Sequence, residues 1–304
     1  MSSKRYDQLI ADLRSDYRPQ REWGEGRGIL MVIGHFLTGV AGGTWLMASI
    51  FGVPQGLFVA FAAGVLGGIV HLLFLGRPER AFNMVRHVRT SWVSRGFVGL
   101  GLFLMGGGLY LAIITLLPPG GVWNLVAIVA QVIAAIGTVT IIGYMGFCYA
   151  ASKAIPFWNS PLHPAIYIAF ALRGGIAALL VVAVPSDATT GDSLLRLWIG
   201  VTAIIVLLLL IEIYGAMSRG NVAARWSARD MLAGRLAVLF YGGTLTLGLI
   251  VPLLLLLGTS AFRPPVVMAF IGLASVAGDF FMKASIVKAG VYLPLVLPLR
   301  RQGA

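Results

Sequence analysis

The sequence predicts an all-α integral membrane protein with eight transmembrane helices in two four-helix bundles. Composition is the first reason. Hydrophobic residues make up 58% of the 304-residue chain and charged residues 11%, against roughly 25% charged in a soluble domain. Length is the second. Eight apolar runs each approach or exceed the ~20 mostly apolar residues that a spanning helix needs. The third is charge: basic residues crowd into alternate gaps between the runs, which gives the chain an orientation.

Taken in order, spans are expected over 29–50, 55–74, 97–117, 123–150, 164–184, 194–217, 231–257 and 266–288. The outer connections 51–54 and 118–122 are very short. The longest inner connection, 75–96, is rich in arginine. Residues 1–28 form an N-terminal segment in which Leu9, Ile10, Leu13 and Tyr17 suggest an apolar stripe for a membrane surface or a partner. The chain then divides into a first bundle over 29–151, a linker over 152–162, a second bundle over 163–290 and a tail over 291–304. Gly39, Gly42 and Gly43 in span one, and Gly242, Gly243 and Gly248 in span seven, provide small surfaces for close helix packing. No repeat relates the halves.

Eight spans nearly use up the chain. A catalytic domain for a polar substrate is therefore expected on another chain or in a membrane cavity. The single cysteine, Cys148, excludes an internal disulfide and an all-cysteine iron–sulfur site. Residues 1–28 do not read as a cleavable signal, because no short apolar core follows a basic patch.

The net charge of +12 suits loop arginines facing the cytoplasm better than a nucleic-acid surface. Nineteen of the 23 Lys and Arg residues fall on the side of the termini. Only Arg196 and Arg263 fall opposite, with Arg173 and Lys283 inside spans. Both termini are expected in the cytoplasm of a cell with an inner membrane.

Ionisable groups at membrane depth are costly and point to function. Arg173, Glu212, Asp279 and Lys283 stand out. Arg173 lies about 15 Å into span five, near the midplane, and Asp279 about 20 Å from the outer start of span eight. Asp279 and Lys283 are four apart, so they share a face and are expected to pair. Internal ion pairs that fix packing are one reading, and a stepped proton path is the other.

His35 and His71 are the next signal. One lies about two turns into span one and the other about one turn from the inner end of span two. Adjacent antiparallel helices would bring them together. Histidine donates to a quinone carbonyl and exchanges a proton near neutral pH, and it also ligates haem. His163 begins span five on the same side, and His87 reads as an ordinary surface residue. The 75–96 loop adds Asn83, Ser91, Trp92 and Ser94 to its arginines. That mixture suits a docking surface.

Three stretches carry a family resemblance. Span one reads His35-Phe36-Leu37-Thr38-Gly39-Val40-Ala41-Gly42-Gly43. A Leu-Gly-Arg-Pro-Glu-Arg-Ala segment follows span two, and Ser-Trp-Val-Ser-Arg follows that. With the glycine and lysine of the last span, these resemble the NrfD and polysulfide reductase type of membrane anchor, related to the dimethyl sulfoxide reductase anchor. The resemblance covers nearly the whole chain. It implies a quinone or quinol site, for menaquinone or ubiquinone, and no haem in this subunit. It implies a partner subunit with iron–sulfur clusters and a molybdenum or tungsten pterin catalytic subunit. Electrons would pass between the nearest cluster and a quinone held near spans one to four.

On this reading His35 and His71 bind the quinone or supply its protons. Trp92 and Arg95 line the mouth, Tyr149 or Tyr241 gives a second hydrogen bond, and Arg77, Arg80, Arg86 and Arg89 dock the iron–sulfur subunit. His35 stands where the family's first-span motif carries a polar residue, often Asn. In many members the docking face is periplasmic. Here the basic face predicts a cytoplasmic partner, which suits an acyl-CoA or sulfite substrate and a likeness to the phenylacetyl-CoA:acceptor oxidoreductase membrane subunit. The rival readings are a haem b anchor and a secondary transporter or proton-coupled permease.

Overall fold

Eight helices long and apolar enough to cross a membrane run through the computed structural model, which describes residues 6–7, 10–12, 17–182, 188–218, 221–258 and 264–293. The described residues are 84% helical, and they form no strand beyond an isolated bridge between Pro19 and Val291. Of the expected N-terminal stripe, Leu9 and Leu13 lie outside the described residues, as do Arg263 and the end of the tail.

Local chemistry sets the helix ends. Span one covers Ile29–Phe51, preceded by a single 3-10 turn, Gly26–Gly28. It stops at Gly52, whose φ of +64 is a left-handed C-cap that glycine adopts without a Cβ penalty. Span two, Pro54–Leu75, starts with a proline whose missing N–H costs nothing there.

Span three, Trp92–Leu116, begins five residues before the expected position. Ser91 caps it by accepting from the Ser94 N–H at 3.3 Å. Hydropathy alone reads the turn that contains Arg95 as loop. Spans four, five and six are Gly121–Ala150, His163–Val182 and Ala188–Ser218, and span eight is Pro265–Lys288.

Span seven differs most from expectation. Met231 belongs instead to a separate helix, Val222–Ala233, capped by the Asn221 side chain and ended at Gly234. The span proper is a π-helix, Leu239–Ile250, running into Val251–Gly258. Only Gly234 and Arg235 part the apolar Met231–Ala233 from the run that follows, so hydropathy merges them.

Span one lies along spans two and five, and span five also packs on spans six and eight. The crossing of spans one and five is backbone against backbone. A Cβ on Gly43 would lie 1.7 Å from the Ala171 carbonyl oxygen, and one on Gly175 would lie 2.1 Å from the Gly43 carbonyl carbon. Small residues permit that approach where no hydrophobic force drives helices together in lipid.

The basic end is laced rather than loose. Gln20 N–H donates to Gly290 at 2.7 Å, Tyr292 N–H to Arg18 and Leu293 N–H to Ala154, both at 2.9 Å. The 152–162 connection is a packed plug, not a bare linker. Ile155, Phe157, Trp158 and Ser160 are buried, and Trp158 Nε1–H donates to the Ile286 carbonyl at 2.9 Å.

Candidate functional site

Spans one to four enclose a pocket of about 250 Å³ near their basic ends. Its walls are mainly apolar: Met31, Leu72, Phe74, Leu75, Phe97, Leu100 and Leu104, with Met84 from the loop above and Trp23 from the N-terminal segment. The polar side chains on its wall are His35, His71 and Tyr144, with the thiol of Cys148. Exposed Leu72, Leu75 and Val93 place an opening between spans two and three. In a bilayer that opening faces lipid.

Each polar group is held by a specific neighbour. The two imidazoles face each other with centroids 5.1 Å apart. His71 Nδ1 lies 2.7 Å from the Gly67 carbonyl oxygen. A carbonyl only accepts, so Nδ1 carries the proton and a neutral His71 keeps an accepting Nε2. That Nε2 lies 3.5 Å from the Tyr144 hydroxyl. His35 is fixed in the complementary sense. The Tyr149 hydroxyl is hydrogen-bonded to its Nδ1 at 3.3 Å, and with that hydroxyl as donor Nε2 is the N–H of the neutral ring. The pair thus offers one donor and one acceptor.

Two glycines make room for this arrangement. A Cβ on Gly34 would sit 2.7 Å from His71 Nδ1, and one on Gly96 would sit 2.2 Å from the Tyr144 ring.

Several expected site residues lie elsewhere. Trp92 and Arg95 do not line the pocket. Trp92 stacks on Phe147 with centroids 4.4 Å apart, and the Arg95 guanidinium sits 4.1 Å over its ring while donating to the Val88 and Arg89 carbonyls at 3.0 Å. They brace the loop above the site. Tyr241 is 47% exposed on span seven, which takes no part in the pocket wall. Tyr149 stands behind His35 rather than on the wall. Tyr144 is the residue missed from sequence. Its place in the inner half of span four, at the depth of His71, was the available signal.

The membrane-depth charges separate into two groups. Arg173 donates to Asp279, to Thr202 Oγ1 at 2.9 Å and to the Gly248 carbonyl. Asp279 therefore pairs across to span five, not with Lys283 along its own helix. Lys283 instead points at span one, between the Phe36 and Tyr167 rings at 5.8 and 5.7 Å. Glu212 stands apart from these three. It accepts from Ser160 Oγ at 2.6 Å.

Arg77, Arg80, Arg86 and Arg89 are exposed on and beside the 3-10 helix Pro78–His87, around Phe82, which is 75% exposed.

Eight spans, with a pocket among the first four, define a multi-pass membrane protein with an intramembrane cavity at one face. The chain belongs to the NrfD family: the family model described as polysulphide reductase, NrfD, matches residues 26–294. Members of the family are membrane subunits of polysulfide reductase-like complexes, and they generally interact with quinone and pair with iron–sulfur and molybdenum-pterin subunits. No curated protein matches the chain.

Proposed function

We propose that this chain is the quinone-reactive membrane anchor of a multisubunit molybdenum or tungsten pterin oxidoreductase. It passes electrons between a partner iron–sulfur subunit and membrane menaquinone or ubiquinone. The observation that carries the reading is the His35–His71 pair on the wall of an apolar, lipid-side pocket beneath an arginine-rich loop. A cavity of about 250 Å³ suits a ring headgroup rather than a whole isoprenoid molecule, which would extend through the gap between spans two and three. One donor and one acceptor suit the carbonyl and hydroxyl forms of such a ring.

The quinone supplies the redox chemistry, two electrons and two protons per turnover. The protein's own residues do the rest. The His35 Nε2–H donates to a ring oxygen, and the His71 Nε2 accepts from one. The Tyr144 hydroxyl, 3.5 Å from that Nε2, yields it to the ring and stays beside the ring oxygen, and the leucines and phenylalanines exclude water.

Arg77, Arg80, Arg86 and Arg89 form the docking surface for the iron–sulfur subunit, with Phe82 as an apolar anchor. The positive-inside asymmetry supports a cytoplasmic location for this face, both termini and the partner, in a cell bounded by an inner membrane. Arg173, Glu212, Asp279 and Lys283 are the buried charges available to proton movement.

Gentle purification of the tagged protein from native membranes, with mass spectrometry and metal and quinone analysis, tests the reading. Co-purification of an iron–sulfur protein, a molybdenum or tungsten protein and quinone is expected. A lone chain without quinone, reproducibly and in mild detergent, would overturn it.

A further inference from the structure

His163 is fully buried, and neither of its ring nitrogens has a hydrogen-bond partner among the described residues. The Tyr167 hydroxyl one turn along is buried as well, with Tyr149 beside it. Buried polar atoms are normally satisfied, and an imidazole with both nitrogens orphaned marks a place where water is held.

The imidazole has a partner on each side. Toward the basic face, His163 Nδ1 lies 3.9 Å from Glu212 Oε1. Toward the pocket, its ring lies 6.4 Å from Tyr149 and 6.1 Å from Tyr167, and those two tyrosines stack at 5.2 Å. The Tyr149 hydroxyl in turn is hydrogen-bonded to His35 Nδ1. Glu212, for its part, lines a second cavity of about 220 Å³ whose rim carries exposed Lys153 and Asn159. The groups facing His163 are thus Glu212 from span six, Tyr149 from span four, Tyr167 from its own span and the apolar ring of Phe157.

We infer that Glu212 and His163 form the proton relay that joins the basic face to the quinone pocket, through Tyr149 to His35. The inference rests on the quinone reading above. Arg173 and Asp279 are locked in an ion pair with each other and stand outside this route.

Each transfer balances. Glu212 takes a proton from the cavity and gives it to His163. His163 passes one through bound water to Tyr149. Tyr149 gives its hydroxyl proton to His35 Nδ1 as the His35 Nε2 proton leaves for the ring oxygen. Ring rotation restores both imidazole tautomers. A packing role for Glu212 and His163 would involve no exchange, and that difference is measurable.

The test uses the whole complex. Its clusters are reduced with dithionite, excess reductant is removed, and their re-oxidation by decylubiquinone is followed by stopped-flow absorbance in H2O and D2O. Decylubiquinone affinity is measured separately. In Glu212→Gln and in His163→Asn, re-oxidation should slow on the order of 10²-fold. The solvent isotope effect should rise while affinity stays within about twofold, since neither residue lines the pocket. Imidazole should restore part of the rate in His163→Asn.

Wild-type rates and isotope effects in the assembled variants would overturn the relay alone. Failure of the wild-type complex to bind decylubiquinone would overturn the quinone reading, and the relay with it. If Glu212→Gln does not assemble, Ser160→Ala, which removes the hydrogen bond to Glu212 Oε2 and the one accepted from the Leu162 N–H, takes its place under the same criteria.

Discussion

His35 and His71 stand 5.1 Å apart, centroid to centroid, each with its Nδ1 already engaged, one by a tyrosine hydroxyl and the other by a backbone carbonyl. Two rings so fixed present defined Nε2 atoms to whatever fills the pocket. Replacing either with alanine should lower quinone-linked turnover by about 10²-fold or more while leaving assembly with partner subunits intact. Turnover of purified variant complexes checks this, with co-purified subunits as the control. Normal turnover in both variants would sink the site assignment.

Tyr144 and Tyr241 make a paired test. Tyr144 meets the Nε2 of His71 within the pocket, whereas Tyr241 is half exposed on span seven. Tyr144→Phe removes a hydrogen bond worth about 1 kcal/mol, roughly fivefold in affinity. Titration with a quinone analogue should show that loss, and Tyr241→Phe should bind as wild type does. An equal loss in both would mean the pocket lies elsewhere.

Much of this was legible in the sequence, and the failures have physical causes. Hydropathy finds all eight spans because lipid demands long apolar helices whatever the fold. The depth of His35 and His71 follows from 1.5 Å per residue, so their meeting needed only adjacent antiparallel helices. Lateral position is different. Trp92 and Arg95 are near the pocket in sequence, yet helix rotation turns them onto Phe147 and the loop carbonyls. Asp279 has Lys283 one turn away, yet chooses Arg173 on another helix, which only tertiary packing reveals. The start of span seven was hidden because the apolar end of the short helix before it, Met231–Ala233, lies only a few residues ahead of the span.

Gly34 and Gly96 are the positions where a methyl group would be felt at once. A Cβ there would lie 2.7 Å from the His71 ring and 2.2 Å from the Tyr144 ring. Overpacking of this kind costs roughly 1–3 kcal/mol. Gly34→Ala and Gly96→Ala should lower the thermal unfolding midpoint and weaken analogue binding. Gly101→Ala, on the same wall with open space around it, should do neither.

The Arg173–Asp279 pair invites a double-mutant cycle. Removing one partner leaves an uncompensated buried charge and should cost about 3–5 kcal/mol, whereas replacing both by apolar residues of similar volume is often neutral. Arg173→Met and Asp279→Leu should each destabilise the protein strongly, and the double variant should recover most of the loss. Unfolding of the four proteins in one detergent measures this. Recovery of quinone-linked turnover in the double variant would show that the pair serves packing. Recovery of stability without turnover would show that its charges are used.

The exposed arginines of the loop address the partner rather than the pocket. Arg77, Arg80, Arg86 and Arg89 surround an exposed phenylalanine, and rim charges act mainly on association rate and salt dependence. Reversing Arg86 and Arg89 to glutamate should weaken binding of the iron–sulfur subunit about 10-fold at low ionic strength. The gap to wild type should narrow as salt screens charge beyond about 10 Å at 0.1 M. Quinone-analogue binding to the isolated chain should not change, because neither arginine lines the cavity. Subunit association measured across a salt series separates the two effects. A salt-independent loss would mean that the substitutions act by deforming the loop, and the docking surface would then have to be sought on the helix Val222–Ala233, the other element exposed on this face with an aromatic anchor, Trp226.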